Sequence, residues 1–131
     1  MELLELENII TTQIKVRVPK LTENKYPDLS VTNEDSDKQP SFPNIYVHEL
    51  ESSEVGNSIP NQQIHAIRDT FQIVVSTNTN KSESREVTNA CILAFKHLRY
   101  SVISSPIYYK DNNIHRFVFR VRRIIANGDT F

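Results

Sequence analysis

The stretch HAIRDTFQIVVS, residues 65–76, decides the fold. Its odd positions Ile67, Phe71, Ile73 and Val75 are apolar, and its even positions include Arg68, Thr70 and Gln72. Successive side chains of a strand point to opposite faces, so this pattern predicts a sheet with one buried face and one wet face. The last strand repeats it. His115, Phe117, Phe119 and Val121 fall in one phase, and Arg116, Val118, Arg120 and Arg122 in the other. Phe42 to Leu50 predicts a third strand, with Ile45 and Val47 facing one way and Tyr46 and His48 the other.

Between these strands lies a helix to cover the buried face. In Ser82 to Leu98 the residues Val87, Ala90, Cys91, Ala94, Phe95 and Leu98 form one stripe at helical spacing. Ser82 reads as its N-cap, and Glu83 and Glu86 sit where the helix dipole favours acids. Lys96, His97 and Arg99 crowd the opposite end. A second helix opens the chain on Leu3, Leu6, Ile10 and Ile14, and Pro19 predicts its end by about Val18. Leu29 to Asn33 reads as a short strand. Tyr100 to Tyr109 and Ile114 to Ile125 read as a hairpin joined by the turn formers Lys110 to Asn113. The order α-β-β-β-α-β-β predicts an α+β fold, a mainly antiparallel sheet with helices on one face. The 131 residues make one domain, with polar loops at 34–41 and 51–63 and a tail at 126–131.

Composition narrows the function. The chain carries 15 basic and 16 acidic residues, a net charge of -1, which argues against a general nucleic-acid or membrane-surface binder. Its lone cysteine, Cys91, permits no internal disulfide and suits a reducing compartment. Met1 to Val18 lacks the basic start and apolar run of a secretory signal. With Gly56 and Gly128 as the only glycines, a glycine-rich phosphate loop is missing.

Catalytic and metal patterns are also missing. His48, His65, His97 and His115 stand at no metal-ligand spacing with another His, Cys or carboxylate. Cys91 lies on the apolar stripe and reads as a core residue. No serine sits in a nucleophile elbow. Glu49 and Glu51 lie two apart at a strand end, on one face, and read as a solvated end of the strand. Glu34, Asp35 and Asp37 lack the spacing and glycine of a calcium loop. These readings predict neither an enzyme nor a cofactor.

One charged constellation remains. Arg116, Arg120 and Arg122 share the wet face of the last strand, Arg68 and Gln72 share that of residues 65–76, and Arg123 adds a charge near the strand's end. A face of this kind can meet acids of a neighbouring subunit or line a lumen. Alternatively it binds a phosphate backbone, though Phe117 and Phe119 point away and leave no stacking platform beside the arginines. The polar loops, carrying Asp35 in one and Glu54 and Gly56 in the other, are candidate arms towards a partner.

In sequence order the chain resembles the tail terminator (tail-completion) proteins of tailed phages. The resemblance rests on the N-terminal amphipathic helix, then PSFPNIYVHEL (40–50), AIRDTFQIVV (66–75), the second helix, and the arginine-rich end RRIIANGDTF (122–131). It implies a structural virion subunit assembled in the host bacterial cytoplasm. Such proteins form a ring, a hexamer, at the head–tail interface. The ring caps the tail tube, docks the head connector and lets DNA pass through its lumen without sequence-specific binding. It implies no cofactor and no membrane partner. A closed ring joins two different patches of each subunit, for which Arg68, Arg116, Arg120, Arg122, Arg123, Asp35, Glu54 and Gly56 are the candidate contacts.

Overall fold

The computed structural model describes residues 3–33, 40–55 and 66–126. Its elements are α1 (Leu3–Leu21), β1 (Ser30–Thr32), β2 (Asn44–Val55), β3 (Ala66–Thr77), α2 (Lys81–His97), β4 (Ser101–Asp111) and β5 (Ile114–Ala126). The strands lie in the order β1-β2-β3-β5-β4. β1 pairs parallel with β2, and the other pairings are antiparallel. Both helices pack on one face, so the fold is α+β with the predicted element order.

The core forms where the apolar phases meet. Ile45 and Val47 of β2, Phe71, Ile73 and Val75 of β3, and Phe119 and Val121 of β5 point at the helices. α1 covers them with Ile10, Ile14 and Val18, and α2 with Val87, Cys91, Ala94, Phe95 and Leu98. Phe95 is the hub: its ring meets Phe119 edge-on at 6.4 Å, Tyr100 edge-on at 5.5 Å and Phe71 at 6.5 Å. Edge-to-face contacts add to burial because the positive ring edge meets the negative ring face. Leu6, Ile67 and Ile125 make a small separate cluster under the start of α1.

Several element ends differ from the sequence reading, each for a local reason. α1 continues past Pro19 to Leu21. Proline costs the helix one backbone donor, but the last turn is held by Thr22, whose amide and hydroxyl both donate to the Val18 carbonyl at 3.0 Å. α2 begins one residue before Ser82, and Asn80 is its cap: the Asn80 side chain accepts from the Glu83 amide at 2.8 Å. β2 does not stop at Leu50. A bulge between Glu49 and Glu51 lets it run on to Val55, so the first five residues of the expected loop are strand. The hairpin turn tightens to Asn112-Asn113, at φ 47° and 66°, the left-handed pair that asparagine tolerates.

α2 ends on a left-handed residue without glycine. Arg99 has φ 68°, its amide donates to the Lys96 carbonyl at 2.9 Å, and Tyr100 donates to the Phe95 carbonyl at 2.9 Å. This pair of bonds closes the helix and turns Tyr100 into the core against Phe95.

Candidate functional site: the open face of the sheet

With both helices on one side, no described helix covers the other face of the sheet. Register decides which residues share it, because directly opposed residues of antiparallel strands point the same way. Gln72 opposes Arg120, Thr70 opposes Arg122, and Arg68 opposes Ile124. The arginine side chains lie down across the ladder: Arg120 Nε donates to Gln72 Oε1 at 3.1 Å and Arg122 Nε to Thr70 Oγ1 at 3.4 Å. Arg116 stands opposite Ser76 and Tyr109. Its Nε is buried and makes no hydrogen bond. The sequence-predicted set Arg68, Arg116, Arg120 and Arg122 therefore does share one face.

That face is amphipathic rather than purely charged. Beside the arginines it presents Ile107 at 64% exposure, Ile124 at 54% and Tyr109 at 40%. Tyr46 and His48 of β2 lie on it too, stacked with ring centroids 5.9 Å apart. Phe42, Tyr46, Val74, Tyr109 and Arg116 line a hollow of about 520 Å³ at one end. β5 itself brings no aromatics to this face, because Phe117 and Phe119 point to the helix side. Neighbouring strands supply them. Lys25 and Glu86 form an ion pair at 3.2 Å on the helix side of the sheet.

Arg123 is not part of this face. It falls in the same phase as Phe119 and Val121, is 5% exposed, and donates from Nη1 to the Leu98 carbonyl at 2.9 Å. There it faces Asp69, its ladder partner, which is fully buried. The Tyr100 hydroxyl donates to Asp69 Oδ2 at 2.7 Å. Burial pushes the Asp69 carboxyl up, and the Tyr100 hydrogen bond and Arg123 charge pull against that rise. Burial and the Asp69 charge push the Tyr100 phenol up, so it stays a donor. Composition and motif spacing gave no sign of Asp69 and Tyr100 as a pair. The available signal was phase: Asp69 and Arg123 are charged residues in the apolar phase of alternating strands.

The remaining expected contacts divide. Glu54 pairs with Ile67 in the β2–β3 ladder. Asp35, Gly56 and His65, and the tail at 127–131, lie outside the described residues. Glu49 and Glu51 do not share a face: the bulge sets Glu49 opposite Phe71 on the helix side and Glu51 opposite Thr70 on the open side. Cys91 is buried and its thiol pushed up by that burial. Among the described residues no three His, Cys, Asp or Glu side chains converge to hold a metal. No helix there is long and apolar enough to cross a membrane.

The chain matches no family model. No curated protein matches it. Among solved structures it overlays the gp17 protein of bacteriophage SPP1 with a TM-score of 0.40 and 15% identity, over 95% of this chain and 99% of that one. It also overlays a structure from the H-NOX family with a TM-score of 0.31 and 10% identity, over 95% of this chain and 48% of that one. At these scores neither overlay assigns a family or a function.

Proposed function

We propose that the chain is a structural, self-assembling subunit of a tailed-phage particle, a tail terminator whose ring caps the tail tube and docks the head connector. The observation that carries this reading is the open sheet face. It joins exposed Ile107, Tyr109 and Ile124 to the guanidinium groups of Arg116, Arg120 and Arg122. An apolar patch with charged neighbours is the surface of a protein that is buried by a partner, and arginine and tyrosine are favoured residues there. The ordered resemblance of the N-terminal helix, residues 40–50, residues 66–75 and the arginine-rich end supplies the phage context. On this reading the partners are further copies of the chain, the tube protein and the connector. Native mass spectrometry and negative-stain microscopy of the chain, alone and with tail-tube protein, test it. Rings of defined mass at tube ends are the expected result. A chain that stays monomeric and never meets a tube refutes it.

A second reading is favoured by one observation. Tyr46, His48 and Tyr109 share the face with the arginines, which is the pairing of stacking ring and cation that single-stranded nucleic acids use. It expects binding that weakens steeply with salt and is lost in Tyr46→Ala. Binding unaffected by either change counts against it.

A further inference from the structure

Glu49 and Asp69 meet on the helix side of the sheet. Glu49 opposes Phe71 in the β2–β3 ladder and Asp69 stands two residues from Phe71, so the two carboxyl groups lie on one face as diagonal neighbours. Asp69 spends Oδ2 on the Tyr100 hydroxyl, while Asp69 Oδ1 and Glu49 Oε2 are both buried with no donor. An ionised carboxylate only accepts. Two of them facing each other in a buried place leave like charges in contact and oxygens unserved, which is costly on both counts. One proton removes both costs, since a protonated carboxyl donates to its ionised neighbour.

We propose that Glu49 and Asp69 share a single proton at neutral pH, and that this carboxyl–carboxylate bond is a pH-sensitive latch holding the start of α1 on the sheet. The surroundings place the proton on Glu49. Asp69 has support for its charge from the Tyr100 hydroxyl and from Arg123 of β5. Glu49 faces Asp69 of β3 and Glu7 of α1, both acids. Burial first, then Asp69, then Glu7 push the Glu49 carboxyl well above the ordinary carboxylate range. Glu7 follows directly on Leu6, whose side chain docks α1 on Ile67 and Ile125. Loss of the proton puts Glu49 and Asp69 beside Glu7 as three negative charges, with Arg123 as the facing cation. Lifting the first turns of α1 lets water reach them, and the packing of Leu6 on Ile67 and Ile125 and of Ile10 in the main core opposes it.

A group protonated when closed and ionised when open makes opening easier as pH rises, up to its closed-state value, after which the effect levels off. Hydrogen exchange at the amides of Glu7 to Thr11, corrected for intrinsic rates, reads that opening. In the wild type the opening constant rises towards about tenfold per pH unit from about pH 5.5 and flattens near about pH 8. In Glu49→Gln the slope disappears, because the amide donates to Asp69 at every pH. Carbon-13 titration of the side-chain carboxyls in the intact chain shows Glu49 titrating far above the other glutamates. Equal slopes in the two proteins, or a Glu49 carboxyl with an ordinary midpoint, overturn the proposal. Should Glu49→Gln fail to fold, the wild-type carboxyl titration decides alone.

Discussion

Tyr100→Phe removes one hydroxyl from the interior and leaves the tilted and edge-on ring contacts with Phe71 and Phe95 intact. The lost bond runs 2.7 Å to Asp69 Oδ2, on a fully buried carboxylate. Hydrogen bonds to charged groups contribute about 1.5–3 kcal/mol, and a buried acceptor left short of a donor lies at the upper end. Asp69 has one escape, which is to take up a proton, and that caps the loss at roughly 2 kcal/mol near neutrality. With a urea slope of about 2 kcal/mol/M, the unfolding midpoint falls by about 1 M. The pH dependence has a definite sign. The Tyr100 donor lowers the proton affinity of Asp69, so its removal raises that affinity. A folded state that binds protons more tightly loses stability as pH rises, and the variant therefore falls further below the wild type at about pH 8 than at about pH 5. Urea melts of both proteins at the two pH values measure this. A loss below about 0.5 kcal/mol at the higher pH, or a larger loss at the lower, refutes the account of Asp69 as an ionised, donor-dependent group.

Three further substitutions probe other parts of the chain. Asn80→Ala removes the cap of α2 and costs about 1 kcal/mol in thermal or urea melts, whereas Ser82→Ala stays within about 0.5 kcal/mol; the reverse ranking contradicts the observed cap. Arg99→Gly relieves a non-glycine left-handed residue on the exposed surface and gains about 0.5–1 kcal/mol, read as a raised unfolding midpoint. Reversing Arg120 and Arg122 to Glu changes stability by less than about 1 kcal/mol, because both are exposed and give up only side-chain bonds to Gln72 and Thr70. On the assembly reading, the same double variant fails to self-associate in native mass spectrometry where the wild type does, and unchanged association removes this face from the assembly surface.

Much of the fold is legible because period is a local property. The alternation at Ile67, Phe71, Ile73 and Val75 and the stripe through Val87, Cys91 and Phe95 announce a strand and a helix, and both are present. Element ends are less legible, because they depend on single hydrogen bonds. Pro19 signals a stop, yet Thr22 reaches back to Val18 and carries the helix past it. Polar composition at Glu51 to Val55 signals a loop, yet pairing with β3 keeps those residues extended. The site follows the same division. The grouping of Arg68, Arg116, Arg120 and Arg122 was readable from phase within two strands. The arrival of Tyr46, His48 and Tyr109 beside them was not, since it needs the order of strands across the sheet.

The sequence by itself determined that one face of the sheet is apolar, that an arginine-bearing phase lies opposite it, and that no catalytic or metal spacing interrupts the pattern. These follow from side-chain direction and residue type along a single element. Only the tertiary structure decided what crosses between elements. The bulge beside Leu50 flips the phase of β2, so Glu49 goes to the helix side and Glu51 to the open side. The left-handed turn at Arg99 brings Tyr100 down on Asp69, and the β3–β5 register sets Arg123 against it. Charges of this kind acquire their role from neighbours distant in sequence, because electrostatic energy depends on separation in space and on burial, neither of which a local pattern contains.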